Sequence, residues 1–230
     1  MIGFLGSPFN FAAAGSGGDP DFASVSLLLP LNGTNGGTSF PDESNNNFTV
    51  TGFGNAQTTT AQSQWAGSSL VLDGSSDYLS VPDNAAFDFG TGDFTIEFWL
   101  RWNSLSGFQT IYDHGYTGSG ALLLQTGNGD GRIGIYTSGS YLGQESGSPS
   151  TGTWIFYQIV RSGTSLRINR NGTSSLSVTN STSLGSTANI GIGARLSAGT
   201  LALNGWMQDL RVTKGIARSN VVPTAAFPTF

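Results

Sequence analysis

Residues 94–102 read Phe-Thr-Ile-Glu-Phe-Trp-Leu-Arg-Trp and carry the clearest secondary-structure pattern of the chain. From residue 94 to residue 100 the even positions are all apolar, whereas the odd positions from 95 to 101 hold Thr95, Glu97, Trp99 and Arg101. A period of two is typical of a β-strand that buries one face and turns the other outward. The stretch therefore predicts a strand with one core face.

The same kind of segment recurs on both sides of this strand, from Asp19 onward. Asn171-Gly172 lies between two such segments and predicts a type I′ hairpin, because both turn residues must accept positive φ. Regular short segments separated by turn residues predict an all-β, two-sheet antiparallel β-sandwich. Besides 94–102, the predicted strands are 25–31, 48–53, 69–72, 78–81, 109–112, 121–125, 132–136, 154–161, 165–170, 174–178, 188–192 and 205–212.

Composition supports this fold class. The chain has 230 residues, of which 34 are glycine and only 10% are charged, so helices should be scarce. Aromatic residues supply the large buried areas that a two-sheet core requires. We predict one domain over residues 19–230, preceded by an arm of residues 1–18. Cysteine is absent, so neither disulfides nor thiolate metal sites contribute.

Charge and hydropathy exclude two classes of partner. The net charge is −5 and Lys214 is the only lysine, so no basic stripe exists to neutralise the phosphates of a nucleic acid. No run of about 18 apolar residues is present to insert into a membrane. The opening segment also lacks the pattern of a secretory signal, and we expect release from the cell by another route, such as lysis.

The arm itself is uncharged and rich in large apolar residues. One interpretation is a frayed terminus. The other is an anchoring arm that is buried against a partner, the chain's own sandwich or a symmetry-related copy, because exposed aromatic residues favour aggregation. The anchoring residues would be Ile2, Phe4, Leu5, Phe9 and Phe11.

The residues do not predict catalysis. Sandwiches that cleave glycosidic bonds carry paired carboxylates, and the strand of residues 94–102 offers Glu97 alone. A degenerate hydrolase would need a second carboxylate brought close to Glu97 by the fold. His114 is the only histidine, expected in a loop, so neither a catalytic triad nor a zinc site is supported. We predict that the chain is not an enzyme, with no catalytic residues and no required cofactor.

Several segments in order resemble the laminin G-like jelly roll of the concanavalin A-like superfamily, over about residues 19–227. The closing stretch from Asp209 to Arg218 and the opening Met1-Ile2-Gly3-Phe4 resemble laminin G-like proteins of marine tailed bacteriophages. That resemblance implies a virion surface protein, in capsid decoration, a tail fibre or an adhesin, with other virion subunits as partners. The segments that carry the fold resemblance are 26–29, 72–79, 92–99, 153–154, 160–161, 171–172, 190–193 and 205–212.

The resemblance also implies one candidate ion, and the alternation of residues 94–102 indicates one candidate ligand. Calcium would be held at the rim by Asp42 and Asp209, although Asp42 could instead cap a turn while Asp209 accepts backbone hydrogen bonds. A surface glycan would stack on Trp99, flanked by Glu97 and Arg101, which makes a cell-surface carbohydrate-binding module the alternative function. The competing interpretation is that a loop, the arm or a neighbouring subunit covers this face.

Overall fold

A computed structural model describes residues 18–65, 67–127, 129–196 and 200–230. The anchoring residues predicted between Ile2 and Phe11 lie outside this part of the chain. Helix within it is limited to two single 3₁₀ turns, Phe22–Ser24 and Ala85–Phe87. The strands are β1 (Val25–Leu29), β2 (Thr51–Phe53), β3 (Gln57–Thr59), β4 (Ser69–Asp73), β5 (Tyr78–Val81), β6 (Phe94–Trp102), β7 (Thr110–His114), β8 (Leu122–Thr126), β9 (Ile133–Thr137), β10 (Ser140–Gln144), β11 (Trp154–Ser162), β12 (Ser165–Arg170), β13 (Thr173–Thr179), β14 (Ile190–Ile192) and β15 (Asn204–Lys214).

These strands form two antiparallel sheets packed face to face. One sheet has the order β13-β12-β11-β6-β15-β4-β3, with β1 also paired to β15, which makes eight strands. The other has seven strands in the order β10-β9-β8-β7-β14-β5-β2. The prediction of an all-β, two-sheet antiparallel sandwich of the jelly-roll type is confirmed.

The core lies between the sheets and is built by the alternation seen in the sequence. Phe94, Ile96, Phe98 and Leu100 of β6 are fully buried in it, together with apolar residues of both sheets. At the Asn171-Gly172 turn the φ angles are +47° and +76°, which confirms the type I′ hairpin. His114, expected in a loop, is instead the buried last residue of β7.

The longest strand changes partners along one edge. The first part of β15 pairs with β4 and the later part with β1, while its other edge follows β6. The register shifts between Gln208 and Arg211, and Asp209 there has a φ of +51°. This bulge turns the Asp209 side chain away from the alternation that the rest of the strand obeys.

The last fifteen residues, 216–230, cross the outer face of the eight-stranded sheet; we call them the C-terminal segment. Thr95 Oγ1 donates to the Ile216 carbonyl at 2.9 Å, and Gln158 Nε2 donates to the Ser219 carbonyl at 3.0 Å. At the end of the segment, the Asp19 amide donates to the Phe230 carbonyl at 2.8 Å. The two ends of the described domain therefore meet on this side of the sandwich. No helix in the described residues has the length and apolarity needed to cross a membrane.

Candidate binding site

Trp99, the predicted glycan-stacking residue, is buried in the structure. Trp99 is only 5% exposed and packs in a small cluster with Phe156 and Phe227, flanked by Trp65. The Trp65 and Trp99 rings meet edge to face with centroids 5.5 Å apart. The expectation that Trp99 is exposed is therefore wrong, because the C-terminal segment and the loop carrying Trp65 cover this part of the face. Of the predicted trio only Arg101 is partly exposed, with its guanidinium 4.9 Å from the Trp206 ring centroid.

Glu97 does acquire a neighbouring carboxylate, but in an ion-pair network. The Arg211 guanidinium donates to Glu97 Oε2 at 2.7 Å and to Asp19 Oδ2 at 2.9 Å. Arg218 makes a two-pronged pair with Asp19 at 2.7 and 2.9 Å. Although desolvation opposes it, the hydrogen bonds and charge of Arg218 lower the pKa of Asp19. Both carboxylates are buried and paired with arginines, whereas a glycosidase needs an accessible pair with one protonated acid. This pair accordingly acts as a clasp between the start and end of the domain.

The Asp42 carboxylate accepts four hydrogen bonds that stabilise a turn. Its Oδ1 accepts the amide protons of Leu28 and Ser44, both at 3.0 Å, and its Oδ2 accepts the Phe48 amide at 2.8 Å and the Ser44 hydroxyl at 2.9 Å. With both carboxylate oxygens accepting two protein donors each, the arrangement favours the turn-capping interpretation over a calcium ligand.

Asp209 is likewise occupied by protein donors. Trp65 Nε1 donates to its Oδ2 at 2.6 Å, and a backbone hydrogen bond from Phe227 reaches the same carboxylate. Burial raises the pKa of Asp209 to about 6, against the opposing effects of these bonds and of Arg211. In the described residues, no three His, Asp or Glu side chains gather where they could hold a metal ion. Calcium binding remains a prediction that the geometry does not assign to Asp42 or Asp209.

The outer face of the seven-stranded sheet, by contrast, carries an open pocket. It has a volume of about 360 Å³ and is formed by the end of β7 and the loops flanking β14. Gly191 of β14 pairs with Asp113 of β7 on this face, and Leu196 folds over Gly191. The pocket is lined by Asp113, Gly115, Tyr116, Thr117, Ala188, Asn189 and Leu196.

Asp113 fixes the shape of the pocket. Its Oδ1 accepts the Tyr116 amide at 2.9 Å and its Oδ2 accepts the Leu196 amide at 3.0 Å, so one carboxylate ties both loops to the strand. Burial raises the pKa of Asp113, while the two amide bonds oppose that rise. Tyr116 itself has a φ of +44°, a backbone conformation uncommon for a residue with a side chain and often found at binding sites.

A cationic and aromatic group borders the pocket. The Arg195 guanidinium lies 3.5 Å from the Tyr116 ring centroid and also donates to the side-chain carbonyl of Gln125. On the neighbouring strands, the Tyr136 and Tyr141 rings lie 5.1 Å apart, and Tyr141 is 52% exposed. We call the pocket together with these three residues, Tyr136, Tyr141 and Arg195, the aromatic face.

The far edge of the same sheet adds a second aromatic pair. Phe53 of β2 and Tyr78 of β5 stack with centroids 4.6 Å apart and planes 7° apart. Seven strands spaced about 4.8 Å apart make a face roughly 30 Å wide, with aromatic rings near both edges and the pocket between them. Flat rings beside hydrogen-bonding groups suit a ligand with both apolar patches and hydroxyls, such as a sugar chain.

Sequence reasoning did not identify this face. Tyr116 lies in a loop, and Tyr136 and Tyr141 lie in two short strands, of which β10 was not predicted at all. The available signal was a concentration of tyrosine from 112 to 141, which holds Tyr112, Tyr116, Tyr136 and Tyr141.

Fold and face together define a lectin-like two-sheet sandwich. Residues 73–219 match a laminin G-like family model described as the concanavalin A-like lectin/glucanases superfamily. That match spans more than half of the chain, and the chain belongs to this superfamily. No curated protein sequence matches it.

Solved structures with the same fold are distant in sequence. Domain 4 of AbnA, an extracellular arabinanase from Geobacillus stearothermophilus solved with arabinotriose, has a TM-score of 0.63 and 17% identity over 85% of this chain and 94% of that one. The binding domain of Paraclostridial Mosquitocidal Protein 1 has a TM-score of 0.68 and 14% identity over 86% of this chain. The binding domain of botulinum neurotoxin DC, solved with rat synaptotagmin II, has 0.63 and 16% over 85%. This chain spans about half of the two toxin binding domains.

Proposed function

We propose that this chain is a non-catalytic recognition module that binds a cell-surface glycan on its aromatic face and is displayed on the virion of a tailed bacteriophage. The observation that carries the first part is the open pocket at Asp113 and Tyr116, set among partly exposed tyrosines and Arg195. The solved neighbours include a domain in complex with arabinotriose and a binding domain in complex with rat synaptotagmin II, which agrees with a recognition role for this chain.

The placement of the chain ends supports display. Asp19, where the predicted arm joins the domain, is clasped by Arg211 and Arg218 on the outer face of the eight-stranded sheet. The aromatic face lies on the opposite sheet. A module held through its arm would thus present the aromatic face away from its attachment point.

Glycan binding is tested with an array of bacterial surface polysaccharides followed by titration calorimetry on the oligosaccharide that binds. Tyr141→Ala removes an exposed ring, and Tyr116→Asn removes the pocket ring with a residue that tolerates positive φ. Each change should weaken binding about tenfold or more, since aromatic contacts dominate binding surfaces. Phe230→Ala, which removes an even more exposed ring away from the aromatic face, is the matched control and should bind as the wild type does. Unaltered affinity in both tyrosine variants would contradict this assignment of the face.

The virion part rests on the resemblance of the two chain ends to phage proteins, and it has its own test. Removing residues 1–18 should abolish incorporation into particles, as measured by quantitative mass spectrometry of purified virions, while the remaining domain keeps its β-sheet circular dichroism. Undiminished copy number after the truncation would rule out the arm as the anchor. The same measurement on wild-type particles gives the copy number, which separates capsid decoration from a tail fibre.

A further inference from the structure

A second concave site lies on the opposite sheet, beside the C-terminal segment. This groove has a volume of about 530 Å³ and runs along the outer surface of β11, β12 and β13, with residues 217–220 as one wall. Its lining is almost wholly polar and contains no aromatic side chain. The groove residues are Gln158, Val160, Ser162, Arg167, Asn169, Ser174, Ser177, Ala217, Arg218, Ser219 and Asn220.

Arg167 is unusual among the basic residues of the described chain. The others each have a partner: four arginines pair with carboxylates, Arg161 and Lys214 donate to backbone carbonyls, and Arg101 and Arg195 lie over aromatic rings. Arg167 makes no ion pair, side-chain hydrogen bond or cation–π contact with any described residue, and its buried Nε has no hydrogen-bond partner. The Nε of Arg195 is also unpaired, but the guanidinium of Arg195 donates to Gln125 and lies over Tyr116. A buried donor left unpaired is costly, so an unpaired guanidinium in a groove calls for an acceptor.

The amide and charged side chains around Arg167 already have hydrogen-bond or ion-pair partners within the protein, so none of them compensates its charge. Gln158 Nε2 donates to Glu97 Oε1 at 3.1 Å, and Asn169 Nδ2 donates to Gln158 Oε1 at 2.8 Å. These side chains therefore form a continuous row of hydrogen bonds along the base of the groove. Arg218, on the wall of the groove, is paired with Asp19, and Glu97, at the end of this row, is paired with Arg211. The groove thus combines one free positive charge with preset amide and hydroxyl groups.

We propose that this groove is a second binding site, for an oxyanion carried on a hydroxyl-rich framework, such as the carboxylate of a uronic acid or the sulfate ester of a sulfated sugar. The guanidinium of Arg167 binds the oxyanion through charge-assisted hydrogen bonds. The hydroxyls of Ser174 and Ser177 and the amide of Asn169 bind the framework. The site rests on Arg167 and not on the aromatic face, so either site can exist without the other.

The test is a titration followed by ¹H–¹⁵N NMR, in which backbone amides and arginine Nε–H groups are observed separately. The probes are methyl glucuronide, glucose 6-sulfate, neutral methyl glucoside and inorganic sulfate. We expect saturable shifts of the Arg167 Nε–H and the β12 amides with one or both acidic sugars at millimolar concentrations, and weaker or no shifts with methyl glucoside and inorganic sulfate. Which acidic sugar binds better identifies carboxylate or sulfate as the preferred group.

Arg167→Gln removes the charge and keeps a polar side chain, and it should weaken acidic-sugar binding about tenfold to a hundredfold, the range for hydrogen bonds to a charged group. Arg101→Gln, on the outer face of the same sheet, is the matched control and should bind as the wild type does. Equal losses in both variants, shifts centred on Tyr116, equal binding of methyl glucoside, or a response to inorganic sulfate alone would each overturn the proposal. Tyr141→Ala should leave this titration unchanged, which separates it from the test of the aromatic face.

Discussion

Replacing Asp209 by asparagine should stabilise the domain at neutral pH and not at low pH. Asp209 is buried at the bulge of β15 between Trp65 and the C-terminal segment, and burial raises its pKa from 3.8 to about 6. A carboxyl group with a raised pKa binds its proton more tightly in the folded state than in the unfolded state. Stability from this group is therefore highest below pH 3.8, falls as pH rises through the interval to 6, and is constant above it.

The size of the effect follows from the pKa difference. One pH unit corresponds to about 1.4 kcal/mol, so a rise from 3.8 to about 6 costs the ionised fold about 3 kcal/mol. Asparagine carries no charge, accepts positive φ at this bulge and can still accept from Trp65 Nε1 through its side-chain oxygen. The free energy of unfolding of Asp209→Asn minus that of the wild type should rise by about 2 to 3 kcal/mol between pH 4 and pH 7.5.

Urea unfolding at half-unit pH steps, followed by tryptophan fluorescence, measures this difference. Subtracting the wild type cancels the titrations that both proteins share, so the slope reports Asp209. Asp73→Asn removes an exposed carboxylate outside the cluster and controls for the general effect of losing one negative charge. A difference that stays flat with pH, or that shrinks as pH rises, would refute the reasoning about burial.

Two further changes test the contacts that hold the domain together. Arg161→Met should destabilise the domain by about 3 to 5 kcal/mol, because the buried guanidinium donates to the carbonyls of Gly90, Gly92 and Thr182. Without it the Gly92 and Thr182 carbonyls would be left unpaired, while the Gly90 carbonyl would keep only the Leu184 amide. Lys214→Met, which removes one exposed donor, should cost less than about 0.5 kcal/mol in the same urea experiment. Phe227→Ala should cost about 3 kcal/mol and speed hydrogen exchange in the middle of β11, where Gln158 donates to the Ser219 carbonyl, since the ring packs on Trp99 and Phe156 and lies 3.9 Å from the Arg211 guanidinium. Exchange rates equal to those of the wild type would show that the C-terminal segment is held without this ring.

Local sequence patterns were sufficient for most of the fold. The bounds of β5, β6 and β12 agree with the predicted strands 78–81, 94–102 and 165–170, because each has period-two alternation and clear turn residues on both sides. β3 and β10 were missed. Gln57–Thr59 has no apolar residue, and Ser140–Gln144 has two exposed and three half-buried residues and none that is buried, so neither strand shows the alternation on which the prediction depended.

The site was less predictable, because it depends on contacts far apart in sequence. Glu97 was singled out from the sequence, yet nothing in the chain indicates that it pairs with Arg211 or that Arg211 also reaches Asp19, which lies 192 positions away. The pocket also depends on a distant contact, because Asp113 accepts a hydrogen bond from the amide of Leu196, 83 positions further along the chain. Such pairings follow from the order of strands in the sheets, which short-range periodicity does not encode.

The burial of Trp99 explains why the glycan site that we propose lies on the other sheet. Alternation correctly predicted that Trp99 lies on the outer face of β6, but it could not predict that other parts of the chain cover that face. After β15 ends, sixteen residues remain, and an extended chain of that length reaches about 50 Å. The eight-stranded sheet is only roughly 30 Å across, and the remaining residues include Val222 and Phe227, which pack against the Trp99 cluster. A tail with the reach and the apolar side chains to cover its own sheet does so, whereas Tyr141 on the outer face of the opposite sheet is 52% exposed, which is why we propose the glycan site there.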